Sequence, residues 1–303
     1  MKNGNLLHRG RVVAPDGPGL GIHVDWDSLA TANFHVYSKL DFRSRRSDKK
    51  MQRNPTLNTI SILLLAAVTC SAQDSTTPKQ VAEDDEPFLL TYPKLENSDG
   101  EVVLTNEHVV LQRLVVGPGE WEGIHSHPGN QIYVHIKGGE WSGRLGGESE
   151  YSGIVSPDGE VGWMDPIPLS AGHESGNTGD TPIDLIYVTL KGDAPMAPEI
   201  EHAPQIYTNI PLELLLENAR MIVQRVQVEP GQWTGIHSHP GNQVYIHIKG
   251  GIWSERRGGV QSAPSPSLKA GSVGWIDTID LSEGHEMGNT GDTTIDLVLV
   301  TIK

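Results

Sequence analysis

The sequence predicts an all-β protein built from two tandem copies of one module. Three observations carry this: a long internal repeat, short β-branched runs between turn residues, and a composition rich in Gly (34) and Pro (20) with only three Phe. Residues 117–139 read GPGEWEGIHSHPGNQIYVHIKGG and residues 229–251 read EPGQWTGIHSHPGNQVYIHIKGG, identical at eighteen of 23 positions. The offset of 112 then holds to the last residue, pairing Trp141 with Trp253, His173 with His285 and Lys191 with Lys303. Two copies of about 100 residues point to paired domains, because solenoid units are about 20–50 residues long and need at least three copies.

Within each copy the strand candidates recur in order: VVLQRLVV, QIYVHIK and IDLIYVTLK, matched by MIVQRVQV, QVYIHIK and IDLVLVTIK. No segment of the modules has a sustained helical period, apart from a single helical turn expected at Leu212 to Ala219. Many short antiparallel strands without helices imply a sandwich or barrel. The expected modules are 88–191 and 206–303, joined by a Pro-rich linker at 192–205 and preceded by a flexible acidic leader at 73–87.

The first 72 residues read differently. Residues 1–50 carry a net charge of +4 and the remainder −19. From Met51 to Ala72 the chain has the layout of a secretory signal peptide, with an apolar run from Ile60 to Val68 and a small-residue cleavage site, Cys70-Ser71-Ala72. A signal peptide works at the start of a chain, so translation is expected to begin at Met51, with residues 1–50 a gene-model artefact or a disordered extension. The run is too short to span a bilayer. The expected product is exported, periplasmic or extracellular, and free of cysteine beyond Ala72, which excludes disulfides and thiolate chemistry. Its acidic body argues against nucleic acid as a partner and leaves a small molecule.

Eight of the thirteen histidines fall at paired repeat positions: His125, His127, His135 and His173, with His237, His239, His247 and His285. Residues two apart on a strand share a face, and the turn His127-Pro128-Gly129-Asn130 folds the chain into a second strand where Gln131, Tyr133 and His135 share a face. Several imidazoles converging in one pocket are costly to bury unless they bind a metal. Tyr133 and Tyr245 place a phenol near that site. The paired tryptophans are read as barrel-core or inter-module packing, with pocket lining as the alternative. Glu174 and Glu286 follow a candidate ligand and should face away from it, and Asn177 and Asn289 are read as turn residues.

The spacing Gly119, His125-x-His127, Gln131, Gly138, followed by Gly162, Pro168, His173, Asn177, resembles the two cupin motifs, and the second copy repeats it with Gly231, His237, His239, Gln243, Gly250, Gly274, His285, Asn289. The resemblance is to the bicupins. It implies two tandem jelly-roll β-barrels, each holding about one divalent transition metal (Zn, Fe, Mn, Ni or Cu). The implied ligands are His125, His127, Gln131 and His173, and His237, His239, Gln243 and His285. The chain departs from the pattern in having Gln131 and Gln243 where cupins carry glutamate, Ser170 and Ser282 for a glycine, and Asp280 for a proline. Neutral ligands would leave each centre near +2, a strong Lewis acid.

Gln131 and His135 are four residues apart, about 13 Å on a regular strand, so His135 and His247 are assigned a catalytic pocket role, with Tyr133 and Tyr245, and not ligation. A four-histidine, one-glutamine set is similar to that of cupin-type polyketide cyclases, and three-histidine sites resemble those of cupin dioxygenases. The expected function is a dioxygenase, or a cyclase or isomerase acting through an enolate, on small oxygen-rich or aromatic molecules. The alternative is a non-catalytic binding protein for a small molecule or the metal itself.

Overall fold

The computed structural model describes residues 87–92, 100–192 and 204–303. The leader, the signal-like segment with Cys70, residues 1–50 and most of the linker lie outside the described residues. Among the described residues sixteen strands form four sheets, and all their pairings are antiparallel. The first module holds β1 (Glu101–Thr105), β2 (Val109–Val116), β3 (Gln131–Lys137), β4 (Gly139–Leu145), β5 (Glu148–Ser156), β6 (Val161–Met164), β7 (Glu174–Asn177) and β8 (Ile183–Leu190). The second holds β9 (Glu213–Glu217), β10 (Met221–Val228), β11 (His239–Lys249), β12 (Trp253–Arg257), β13 (Val260–Gln261), β14 (Val273–Ile279), β15 (Glu286–Asn289) and β16 (Ile295–Ile302). Each module is a five-stranded sheet, β1-β2-β8-β3-β6 or β14-β11-β16-β10-β9, facing a three-stranded one, β5-β4-β7 or β13-β12-β15.

Helix was expected at Leu212 to Ala219, but residues 213–217 form an edge strand against β10. Leu215 and Leu216 pack onto the apolar core from that strand, so tertiary burial overrides a weak local preference for helix.

Side-chain alternation sorts the large sheets into two apolar clusters each. Leu114, Val116, Leu185 and Tyr187 fill the first barrel, and Val226, Val228, Leu297 and Leu299 fill the second. The opposite faces meet one another: Leu111, Ile132, Val134 and Val188 from the first module share one core with Val223, Val244, Ile246 and Val300 from the second. The modules therefore pack back to back through their larger sheets, which is why these strands are buried on both faces.

Two reciprocal contacts pin this packing. Arg113 makes a two-pronged ion pair with Asp184 (2.9 and 2.6 Å) and covers Gly271 of the other module. Arg225 does the same with Asp296 (2.8 and 2.6 Å) and covers Gly159. A Cβ at Gly159 would lie 2.5 Å from the guanidinium carbon, and both glycines have φ near +80° (81° and 79°), so glycine is required twice over. Trp275 stacks on His108 of the first module, with ring centroids 5.5 Å apart, consistent with the inter-module reading of that tryptophan.

Candidate metal centre

The segment between β2 and β3 is irregular and is tied down by single backbone bonds. His125 N–H donates to the carbonyl of His173 (3.0 Å), and His127 exchanges backbone bonds with Ile167 (2.9 and 3.0 Å). These bonds bring His125 and His127 against His173, which follows a single 3-10 turn at Leu169–Ala171. Gly129 and Asn130 turn the chain into β3 with φ of 80° and 48°, values that glycine and asparagine tolerate best. Gly241 and Asn242 repeat the turn at 80° and 52°. The result is two buried triads, His125/His127/His173 and His237/His239/His285, each offering ligand atoms within 4.8 Å of one another.

The hydrogen bonds fix which nitrogen faces inward. His125 Nδ1–H donates to the carbonyl of Gly123 (2.8 Å), and His127 Nδ1–H donates to Gln131 Oε1 (2.8 Å), whose amide in turn donates to Thr189 Oγ1 (2.6 Å). The two remaining lone pairs, on His125 Nε2 and His127 Nε2, face each other across 3.0 Å. The second module repeats this through Gly235, Gln243 and Thr301, with His237 Nε2 and His239 Nε2 again 3.0 Å apart. Burial pushes His125 and His237 down to about 4 and His127 and His239 to about 3, so at neutral pH no extra proton separates the lone pairs. Donors about 2.1 Å from one ion lie about 3.0 Å apart at right angles and about 3.4 Å apart at tetrahedral angles. His173 Nδ1 and His285 Nε2 are also buried without a hydrogen-bond partner. The residues present fit a divalent ion in each triad.

Gln131 and Gln243 sit behind the triads. Each carbonyl oxygen is engaged by the outer nitrogen of His127 or His239, which orients the imidazole and sets its tautomer. His135 and His247 lie further along the strand, beside Tyr133 and Tyr245 at ring separations of 5.3 and 5.4 Å, and next to Trp141 and Trp253. Tyr187 packs against His127 at 5.7 Å and pairs with Tyr133 across β3 and β8, linking this cluster to the first triad. Tyr133 itself lies on Gly162, and Tyr245 on Gly274.

Gln112 binds the backbone of Leu90 through both ends of its amide (2.8 and 3.2 Å), bringing Tyr92 within 5.2 Å of the His125 ring. Gln224 docks Gln205 likewise (2.7 and 3.0 Å), and Tyr207 rests 4.4 Å from His237. Glu174 and Glu286 face away from the triads: each pairs with an arginine, Arg144 or Arg256, which lies over Trp121 or Trp233. Asn177 and Asn289 hold turns through three backbone hydrogen bonds each.

Three carboxylates at the triads were not singled out from the sequence, the first being Glu150, whose Oε2 lies 3.8 Å from His173 Nδ1. Glu255 Oε1 lies 2.8 Å from His285 Nδ1, where the first module has Gly143. Glu122 is fully buried, with Oε2 3.4 Å from His125 Nε2, where the second module has Thr234. Burial alone pushes its carboxyl up to about 8. Glu122/Thr234 is one of only five differences in the 23-residue repeat, the signal that could have found it. Strand alternation hid it, because a residue three positions from His125 should face the other way. Gly123, at φ 85°, breaks that alternation.

No family model matches the sequence, and no curated protein does. Among solved structures the chain is similar to AerE from Microcystis aeruginosa, at 13% identity over 72% of this chain and 99% of that one, with a TM-score of 0.47. It is also similar to a cupin 2 conserved barrel domain protein from Leptotrichia buccalis, at 14% identity over 67% and 88%, with a TM-score of 0.41. A salicylate 1,2-dioxygenase from Pseudaminobacter salicylatoxidans is similar at 11% identity over 69% and 73%, with a TM-score of 0.39. The two modules share one sheet order, and each holds a buried triad made of an HxH pair and a third histidine.

Proposed function

We propose that this chain is an exported, metal-dependent bicupin enzyme acting on small oxygen-rich or aromatic molecules, with a divalent transition metal held by His125, His127 and His173 and another by His237, His239 and His285. The observation that carries the metal reading is the pair of imidazole lone pairs facing each other at 3.0 Å in both modules. An ion bound there supplies Lewis acidity to an oxygen of the substrate. Gln131 and Gln243 take the place of the charged ligand of the cupin pattern as positioning residues. They hold His127 and His239 in the tautomer that presents Nε2.

The residues around the first triad suit chemistry on an oxygenated molecule. Burial raises Tyr92 and Tyr187 well above the ordinary phenol range, so both keep their protons and remain donors. The two phenols lie against each other, with the Tyr92 O–H directed at Tyr187, so they form a linked pair of hydroxyls beside the triad. His135, Tyr133 and their partners His247 and Tyr245 belong to the adjoining pocket. The reaction is a dioxygenation, or a cyclisation or isomerisation that moves a proton next to a carbonyl. Export rests on the pattern of residues 51–72.

Metal analysis of protein expressed from Met51, followed by aerobic and anaerobic assays on diketone and catechol-like compounds, tests this reading. Turnover that is lost in His125→Ala supports it. Metal bound without turnover of either class identifies a binding protein instead.

A further inference from the structure

We infer that Tyr151, Ser175 and Tyr187 make the first metal centre selective for aromatic molecules bearing several oxygens, a class that the second centre does not hold. The inference rests on the reading that the triads bind metal, and it assigns the substrate class to one of the two sites. Tyr151 Oη lies 3.0 Å from Ser175 Oγ, which lies 3.4 Å from His173 Nε2, so a phenol and a hydroxyl run in series to the third histidine. Beside His127 the Tyr187 ring packs at 5.7 Å, and its oxygen accepts the O–H of Tyr92. Hydroxyls both donate and accept, so this set matches the hydroxyl, carbonyl or carboxylate oxygens of a molecule whose remaining oxygen meets the metal.

A glycine makes the series possible. Tyr151, Gly143 and Ser175 stand in one register row across β5, β4 and β7, with Gly143 in the middle. A Cβ at Gly143 would lie 2.2 Å from the Tyr151 ring. Its absence lets the phenol cross over β4 and reach the serine on the far strand.

The second module keeps the histidines and loses this row. Glu255, Met287 and Ala263 occupy the repeat positions of Gly143, Ser175 and Tyr151, and Leu299 occupies that of Tyr187. Glu255 and Met287 pair across β12 and β15, so the middle of the row carries a side chain, whose carboxylate goes to His285 Nδ1 (2.8 Å) and Arg257. Met287 and Leu299 belong to the apolar cluster of that barrel. Tyr207 rests on His237 as Tyr92 does on His125, but no hydroxyl stands at the repeat position of Tyr187 to pair with it. Tyr133 and Tyr245 are common to both modules and do not discriminate. A molecule rich in oxygens would leave some of them buried and unpaired against Met287 and Leu299, which disfavours its binding there.

The test titrates 4-nitrocatechol, whose absorption shifts when its oxygens bind a metal, into the full mature chain loaded with zinc, with zinc content measured on the same samples. In a His237→Ala/His239→Ala background, where only the first triad holds zinc, the probe should bind. In a His125→Ala/His127→Ala background, where only the second does, it should not. Combining Tyr151→Phe, Ser175→Ala and Tyr187→Phe removes three hydroxyls and keeps the rings, and it should weaken the probe about tenfold or more while zinc stays bound. Equal affinity in the two backgrounds, no binding at the first centre, or undiminished binding by the triple variant would overturn this inference and leave the metal reading standing. Loss of zinc together with the probe in the triple variant would show a structural role for the three residues and overturn their assignment. Absence of zinc from both triads of the parent chain would overturn the metal reading itself.

Discussion

The indole N–H of Trp253 donates to His247 Nε2 at 3.0 Å, while His247 Nδ1–H donates to the carbonyl of Ser272 at 3.2 Å. Both ring nitrogens are engaged away from the triad, and the ring is fixed as a neutral imidazole. The equivalent rings in the first module are as close, with centroids 6.0 Å apart against 6.2 Å, but they stand at right angles, and His135 Nδ1 and Trp141 Nε1 make no hydrogen bond with any described residue. The same two residue types thus serve as a closed structural unit in one barrel and as open polar atoms in the other.

His247 should make the protein acid-sensitive. Burial lowers it from 6.5 to about 4 in the folded chain. Between those values the unfolded chain binds more protons than the folded one, so stability falls as pH drops from about 6.5 to about 4 and levels off below. The full effect is of order 3 kcal/mol. Urea midpoints at pH 7.5 and 5 should differ less in His247→Phe than in the parent, and an equal difference would remove His247 as a cause.

Metal content should be about two ions per chain, and His125→Ala and His237→Ala should each remove one. His135→Ala should leave the content near two while lowering any turnover. Elemental analysis after extensive dialysis reads both results. A His135→Ala protein that loses as much metal as His125→Ala would make His135 a ligand.

Gly159→Val should destabilise the chain by about 2 kcal/mol or more, because valine is strained at positive φ and its Cβ meets the Arg225 guanidinium. Combining it with Arg225→Ala should recover only the part due to the clash. Denaturant unfolding of the two single variants and the double variant measures the coupling, and strict additivity would mean that the contact carries no weight.

The signal-like segment predicts a mature chain beginning at Gln73. Mass spectrometry of the N-terminus of secreted protein checks this, and peptides from residues 1–50 in the natural product would contradict it.

The duplication, the β class and the HxH pairs were legible because each is written in local spacing: 112 residues between copies, two between His125 and His127. The back-to-back packing was less so, since a strand such as Val109–Val116 reads as apolar without stating what covers each face. The edge strand at Glu213–Glu217 depends on a partner, β10, and on a core shared with the other module. Gln131 was found, but its place behind His127 follows from Thr189, 58 residues away, which takes the other end of its amide. Glu122 escaped because Gly123 breaks the periodicity that reading by strand assumes.

The reciprocal seating of Arg113 on Gly271 and Arg225 on Gly159 is the contact pattern of a symmetric dimer, carried within one chain. In a true homodimer every substitution appears twice, and a change that suits one site is imposed on the other. Covalent fusion removes that constraint and makes pairing independent of protein concentration. One copy can then exchange threonine for glutamate beside its first histidine, and draw the carboxylate beside its third histidine from a different position, while its twin keeps the other arrangement. The back-to-back core supplies the permanence that lets two once-equivalent pockets take separate chemical roles.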